Sequence, residues 1–410
     1  MSQGKLLTGN AAAAWGARLA DIDYIPAFPI TPQTEILELL AHWAAGREIA
    51  ARFVTLDSEH SMLTAAGAAA ATGARVFTAT SSQGLLYAFE VLYTVAGWRV
   101  PLVLVNVSRA LASPITLEAD HNDILAARDC GFLQIHTETC QEVLDSVLMA
   151  YRLAEDQRVM LPVLVNLDGF TLSFTREPVE VPSAEAVAEF LPPYQPRHAF
   201  IRGDQPMAQG VAVLGGAPYS YFRYQQHLAQ ENTLTVHQEI AEEFAVRFGR
   251  HYSLIEPFQL DDAEYVLVMS NAFATKGKAA VQRWRARGVK VGLLRLRVVR
   301  PFPAEMIAHV LAGRKAIAVI DQNLAPGAGG ITYPEIVTAL YSEKSRPPVL
   351  SVIGGLGGKN ISDGEFEVVL HDMERAAAGE RMMQPRLLYT KSEQARTRTL
   401  LKIAGKGVTA

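Results

Sequence analysis

The side chains best placed for chemistry fall in four short polar stretches of the chain's first third. "FPITPQT" carries Pro29 and Thr31, "DSEHS" carries Glu59, "TSSQG" carries Ser82 and Gln83, and "NVSRAL" carries Arg109. Each residue has an ordinary reading when taken alone. Thr31 before Pro32 reads as a helix cap, and Glu59 as a carboxylate favoured by a helix dipole. "SSQG" reads as a cap with Gln83 in the first turn. Arg109 is harder to dismiss as a surface cation, because it directly follows the apolar run "VPLVLVNV". A guanidinium at the end of a buried strand needs an anion.

The elements that must position these residues alternate along the first 170 residues. "YIPAF", "ARFVTL", "ARVFTAT", "VPLVLVNV", "FLQIHT" and "LPVLVNL" read as short apolar strands. Between them lie helical stretches, among them "TPQTEILELLAHWAAG", "SEHSMLTAAGAAAATG" with Ser58 as cap, "SQGLLYAFEVLYTVAG", "HNDILAARDCG" and "CQEVLDSVLMAYRLAEDQ". Continuous apolar strands alternating with helices predict a parallel sheet covered on both faces. The four polar stretches each follow one such strand. Open parallel sheets bind ligands at that carboxyl edge, and four turns on one edge outweigh any single one.

Proline-rich residues 172–208 break the alternation and read as a linker wrapping from one domain to the next. A second α/β unit is expected over 255–375, with strands "AEYVLVMS", "VKVGLLRLR", "KAIAVIDQN" and "PPVLSVIGG". "GVAVLGG" (210–216) is a further strand candidate, preceding a helix over "LAQENTLTVHQEIAEEFAVRFG". The polar, basic tail 376–410 is expected to lie over a partner. The fold class is thus α/β, with two parallel-sheet domains at 1–240 and 255–375.

Composition narrows the function. Thirty-eight Lys+Arg against 42 Asp+Glu leave a formal net charge of −4, no electrostatic footprint for nucleic acid. No apolar run approaches the ~18 residues of a membrane span. No signal sequence is read at the N-terminus, so the cytoplasm is the expected compartment. Cys130 and Cys140 are too few for a disulfide framework or a four-thiolate cluster and are expected to be buried small hydrophobes.

Read in order, "GNAAAAWGARLADIDYIPAFPITPQTEI", "DSEHSMLTAAGAAAATGARVFTATSSQGLLYAFEVLYTVAG", "RVPLVLVNVSRAL", "ADHNDILAARDCGF" and "LPVLVNLDGFTLS" resemble the alpha subunit of pyruvate:ferredoxin oxidoreductase and related 2-oxoacid oxidoreductases. In the second unit "YFRYQQH", "VVRPFP" and "GGLGGKNIS" extend the resemblance, which covers about residues 5–370. The resemblance implies a thiamine diphosphate pyrimidine-binding domain followed by a transketolase C-terminal-like domain. It implies oxidative decarboxylation of a 2-oxo acid to acyl-CoA and CO2. Glu59 matches the family carboxylate that hydrogen-bonds the aminopyrimidine, Arg109 the arginine that clamps the substrate carboxylate, and Thr31 the threonine that hydrogen-bonds the substrate. Pro29, Ser82 and Gln83 would line the cofactor pocket, with His60 and Asn106 in supporting roles.

The chain lacks a Gly-Asp-Gly motif followed by paired asparagines and any Cys-x-x-Cys. On the family pattern, Mg2+ and the diphosphate must then be held by a beta subunit, and the 4Fe–4S clusters by other subunits. Gamma and ferredoxin-like delta subunits are expected partners, as are CoA and either ferredoxin or an NAD-reducing subunit. No metal ligands are assigned to this chain. Leu117 and Glu118, in "SPITLEADHND", depart from the aromatic and small residues many pyruvate-type members carry there. Pyruvate and an aryl acid such as phenylglyoxylate are therefore both open. The alternative is a non-catalytic thiamine-fold subunit kept for assembly, and the presence of Glu59, Thr31 and Arg109 together speaks against it.

Overall fold

A computed structural model describes residues 3–197 and 200–403. The strands Val298–Arg300, Leu133–His136, Val163–Asp168, Val103–Ser108 and Phe77–Thr80 form one sheet in that order. All neighbours in it are parallel except Val298–Arg300, which runs antiparallel to Leu133–His136. A parallel bridge from Tyr24 to Val76 carries the sheet on to Tyr24–Ala27, which pairs in parallel with Arg52–Thr55. Every residue of Val103–Ser108 and Val163–Asp168 is buried, as strands covered on both faces must be. Helices Gly9–Leu19 and Cys140–Ala154 belong to one flanking core, and Glu59–Ala70 and Phe89–Trp98 to the other.

A second sheet runs in the order Arg386–Leu387, Val349–Ile353, Ala316–Asp321, Tyr265–Ser270, Val291–Leu296 and Ile255–Phe258. Only the last strand is antiparallel to its neighbour. The two sheets are stitched together. The chain leaves Val291–Leu296 and enters the first sheet at once as Val298–Arg300. Arg295 and Arg297, both fully buried, reach back to Glu142 of the first unit, Arg295 Nη2 at 2.9 Å and Arg297 Nε at 2.6 Å from Oε1. Charges taken out of water persist only when paired this closely.

Three local expectations are corrected. "GVAVLGG" is not a strand: no strand pairs with it, and Val211 and Leu214 are 56% and 96% exposed. A short apolar run signals a strand only where a neighbour exists to take its hydrogen bonds. "SQGLLYAFEVLYTVAG" is two helices, Ser82–Tyr87 and Phe89–Trp98, broken at Ala88, which leaves helical geometry at φ −88° and ψ 6°. The segment 172–208 is more than a linker. Its Arg176–Val181 pairs antiparallel with Gln3–Thr8, and Ala184–Phe190 is a helix. The alternation of buried and exposed residues in Arg176–Val181 is short and interrupted by Pro178, which hides it in the sequence. The tail contains the helix Lys391–Ile403, and its Glu393 lies 3.4 Å from Lys359 of the second unit. The last seven residues of the tail lie outside the described ones. Among the described residues no helix is long and apolar enough to cross a membrane. Cys130 and Cys140 are both buried and unpaired, and burial pushes the Cys130 thiol up to about 12.

Candidate functional site

The four polar stretches do meet on the carboxyl edge of the first sheet. Glu59 is the first residue of helix Glu59–Ala70, capped by Ser58, whose Oγ accepts from Ser61 N at 3.2 Å. The cap turns the chain sharply out of strand Arg52–Thr55 and leaves Glu59 only 6% exposed. Among the described residues its carboxylate has neither a hydrogen bond nor an ion pair, so its oxygens are uncommitted. Gly84 makes room for it. A Cβ on Gly84 would lie 2.5 Å from Glu59 Oε1 and 2.5 Å from Thr80 Oγ1, so no side chain fits. Beside it, the buried hydroxyls of Thr80 and Ser81 are also without partners. One carboxylate and two hydroxyls thus gather without satisfying one another.

Thr31 and Arg109, 78 residues apart, are brought into direct contact. Arg109 Nε donates to Thr31 O at 2.7 Å. Arg109 is 6% exposed, and its buried Nη1 has no partner. Burial lowers its pKa below the usual arginine value, opposed by the nearby Asp123 carboxylate. The group stays cationic, since an arginine is protonated far above neutrality. The Thr31 side chain is exposed and makes no hydrogen bond among the described residues. Its turn is pinned from beneath by two buried amides: Gln33 Nε2 donates to Phe28 O at 3.1 Å, and Asn10 Nδ2 to Pro32 O at 2.8 Å. Pro29 lies on the exposed side of this turn.

Ser82 is buried and left-handed at φ +48°, an uncommon conformation for a residue with a side chain. Its hydroxyl lies 2.7 Å from Gln83 Oε1 and 3.0 Å from Ala110 O, so it is committed to shaping the turn. Gln83 is half-buried, its Oε1 accepting from the Ser82 hydroxyl. His60 points away, with its ring 3.3 Å from Glu90 and about half exposed. Asn106 is buried, donating to Asp123 at 3.1 Å and to Asn166 at 2.9 Å.

Asp123 is the organising residue that sequence reasoning missed. It is fully buried and accepts from Ser82 N at 3.0 Å, Arg109 N at 3.3 Å, Asn106 Nδ2 at 3.1 Å and Ser108 Oγ at 2.5 Å. One carboxylate thereby ties the turn after Phe77–Thr80 to the turn after Val103–Ser108. Burial raises its pKa, and the hydrogen bonds from Ser108 and Asn106 oppose the rise. The only sequence signal was an acid in the first turn of a short helix, which is also what a dipole-favoured surface residue looks like. His121, two residues earlier, is buried with Nε2 2.7 Å from Asp168 Oδ1. Burial pushes its pKa down, but Asp168 outweighs that and lifts it above the usual histidine value.

Two concavities, of about 720 and 1190 Å3, lie near Arg128 and Phe302, and neither is lined by Glu59, Thr31 or Arg109. Among the described residues no group of three His, Cys, Asp or Glu could hold a metal ion. An aminopyrimidine needs an uncommitted carboxylate and a surface free of competing side chains. Glu59 above Gly84, with Thr80 and Ser81 unpartnered, fits that requirement.

The family description "Pyruvate flavodoxin/ferredoxin oxidoreductase, thiamine diP-bdg" matches residues 15–242, and "Pyruvate:ferredoxin oxidoreductase core domain II" matches residues 263–366. The chain is 42% identical over 381 residues to pyruvate synthase subunit PorA of Methanocaldococcus jannaschii, covering 92% of this chain and 96% of that one. It is 40% identical over 372 residues to ketoisovalerate oxidoreductase subunit VorA of Pyrococcus abyssi, covering 90% and 93%. A solved structure of 2-oxoglutarate:ferredoxin oxidoreductase from Magnetococcus marinus superposes with a TM-score of 0.71 at 17% identity. The match spans 90% of this chain and 65% of that chain, and is a likeness of fold.

Proposed function

The chain belongs to the pyruvate flavodoxin/ferredoxin oxidoreductase family as an alpha-type subunit of a 2-oxoacid oxidoreductase, and on that premise we propose that its first sheet supplies the pyrimidine half of a thiamine diphosphate site completed by another chain. The observation that carries this reading is the Glu59 carboxylate over Gly84, on a residue only 6% exposed and with no hydrogen bond among the described residues. Glu59, Pro29, Ser82 and Gln83 are the residues that would hold the cofactor. When bound, thiamine diphosphate supplies the electron sink for cleaving the bond between a 2-oxo carbon and its carboxylate.

This chain's own residues do the rest. Glu59 takes and returns a proton at the oxygen above Gly84. Arg109 offers its unpartnered Nη1 to the substrate carboxylate, while Nε stays anchored on Thr31 O. The Thr31 hydroxyl, exposed next to that anchor, donates to the substrate. Neither grip is so tight that loss of CO2 is opposed, since only binding that strengthens in the transition state accelerates the step. His60, turned towards Glu90, is left outside the chemistry.

The remaining parts are assigned to partners: Mg2+ and the diphosphate to a beta subunit, and the 4Fe–4S clusters to other subunits, with gamma and ferredoxin-like delta subunits completing the complex that uses CoA. Ferredoxin is the favoured electron acceptor, because the relatives' family description names it; an NAD-reducing subunit is the alternative. Pyruvate or a branched 2-oxo acid is the favoured substrate class, from the relatives' names, and phenylglyoxylate is the aryl alternative. A cytoplasmic complex fits these partners.

The experiment is CoA-dependent reduction of a viologen dye by the complex purified from its host. Pyruvate, ketoisovalerate, 2-oxoglutarate and phenylglyoxylate are assayed in parallel, alongside calorimetric titration of the lone chain with thiamine diphosphate. Turnover of at least one acid by the complex, with no tight binding by the lone chain, is the expected result. Silence with all four acids would sink the reading, and a tight isotherm from the lone chain would sink the half-site.

A further inference from the structure

We infer that the glycine turn Gly355–Gly358 of the second unit is a specificity determinant: it fixes the loop 110–118 beside Arg109 and so sets one wall of the 2-oxo acid pocket. The inference rests on Arg109 being the carboxylate clamp.

The loop leaves the sheet directly after Arg109 and returns to it, closed by Ala110 N donating to Glu118 O at 3.3 Å and by Ser108 Oγ donating to Asp120 O at 2.9 Å. Its apolar side chains Ile115 and Leu117 are 58% and 41% exposed. They are the exposed large apolar side chains nearest along the chain to Arg109. The first unit alone does not hold this loop. Gly358 N donates to Ala119 O at 3.1 Å, and His121 N donates to Gln322 O at 3.0 Å. Gln322 Nε2 lies 3.1 Å from Gly355 O and 3.4 Å from Ala119 O, bridging the two segments.

The contact is backbone against side chain and leaves no slack. Gly358 has φ +72°, and a Cβ there would sit 2.6 Å from Glu118 Cβ and 2.7 Å from Glu118 Oε2. Gly357 has φ +59°, and its Cβ would sit 3.0 Å from Thr116 Cγ2. Both glycines are needed twice over, for the left-handed backbone and for the close approach. Glu118 therefore packs against the second unit and carries the loop with it. Close-packed contacts transmit such displacements rather than absorbing them. Pockets discriminate acyl chains by shape, where one methylene is worth roughly 10- to 200-fold in kcat/KM. Moving the wall moves that discrimination.

The test uses the assembled complex carrying Gly358→Ala, Glu118→Gly, or both. The readout is the ratio of kcat/KM for pyruvate to that for ketoisovalerate, together with KM for CoA and the melting temperature. A ratio is independent of the active fraction, so a substitution that only destabilises leaves it unmoved. Each single variant is expected to shift the ratio about 5-fold or more with KM for CoA unchanged. The double variant should lie nearer the wild type than Gly358→Ala does, because the added Cβ then finds space. An unmoved ratio in both singles overturns the inference, as does a double variant in which the two shifts simply add. If Gly358→Ala does not assemble, Glu118→Gly decides alone by the same ratio. A wild-type complex inactive towards every 2-oxo acid overturns the parent reading and this one together, whereas an active wild type with unmoved ratios overturns only this one.

Discussion

The two sheets present the same construction at their carboxyl edges with opposite outcomes. In the first, Glu59 lies over Gly84, where a Cβ would meet its oxygen at 2.5 Å. In the second, Asp321 ends strand Ala316–Asp321 and lies over Gly330, where a Cβ would meet Oδ2 at 2.0 Å. Asp321 is satisfied: Oδ1 accepts from Thr332 N at 3.0 Å and Oδ2 from Tyr333 N at 3.2 Å, at the start of helix Thr332–Leu340. Burial raises its pKa, opposed by those hydrogen bonds from Thr332 and Tyr333. Glu59 has no such partners. A carboxylate whose oxygens are all spoken for is structural, and one with no hydrogen bond is free to take a ligand. By this criterion the proposed chemistry falls on the first sheet, and the inferred role of the second is walls and positioning.

The sharpest way to break that contrast is Glu59→Gln. Loss of the proton carrier should lower turnover about 10^3-fold, in the range of general acid–base contributions. Its structural cost should stay below about 1 kcal/mol, the worth of a charge at a helix N-terminus. Near-normal turnover in an assembled variant would remove Glu59 from the mechanism. Arg109→Ala comes next. A charge-assisted contact is worth about 1.5–3 kcal/mol, so KM for the 2-oxo acid should rise roughly 10- to 100-fold while KM for CoA holds. A change confined to CoA would show that the unpartnered Nη1 serves another anion.

Asp321→Ala is the mirror experiment. It strips two helix N–H groups of their acceptor and should cost about 2 kcal/mol of stability, read by denaturant midpoint. The folded fraction should keep its kcat, and a large loss of kcat there would erase the contrast between the edges.

The smallest effect concerns the seam where the edges meet. His136 Nδ1 lies 2.5 Å from Asn271 Oδ1, which joins the first sheet to the loop after Tyr265–Ser270. Burial, with His121 nearby, lowers its pKa to about 3 from the ordinary 6.5. The unfolded chain then binds a proton below pH 6.5 that the folded chain refuses. This contribution to stability is complete above 6.5 and falls away as the pH drops towards 3. At pH 5 the deficit is about 2 kcal/mol at most. A His136→Gln variant should show a shallower decline in melting temperature between pH 6.5 and 4, and an unchanged slope would mean another group sets the acid limit.

Much of the first sheet was legible. "VPLVLVNV" and "LPVLVNL" are buried along their whole length, and such strands announce themselves as unbroken apolar runs. Ser58 as a helix cap and the four polar turns were legible for the same local reason, since a cap or a turn is chosen by the residues in it. The pairing of Gln3–Thr8 with Arg176–Val181 was not, because it joins segments some 170 residues apart and neither alone reads as a strand. Nor was the passage of Val298–Arg300 into the first sheet, where one run of residues serves two sheets. Nothing in the composition around Ala88 marks a helix break there.

The sequence by itself determined which residue types stand at the carboxyl ends of which strands, because alternation of apolar strands and helices is a local property and the polar turns follow from it. It also determined what the chain lacks as motifs. Only the tertiary structure decided which of those residues are committed and which are open. Ser82 is committed to Asp123 and Ala110, the Asn106 amide N–H groups to Asp123 and Asn166, and His60 faces Glu90, whereas among the described residues Glu59 makes no hydrogen bond and the buried Arg109 Nη1 has no partner. The reason is physical. Whether a buried polar atom is satisfied depends on atoms contributed by distant segments, and no local pattern records them.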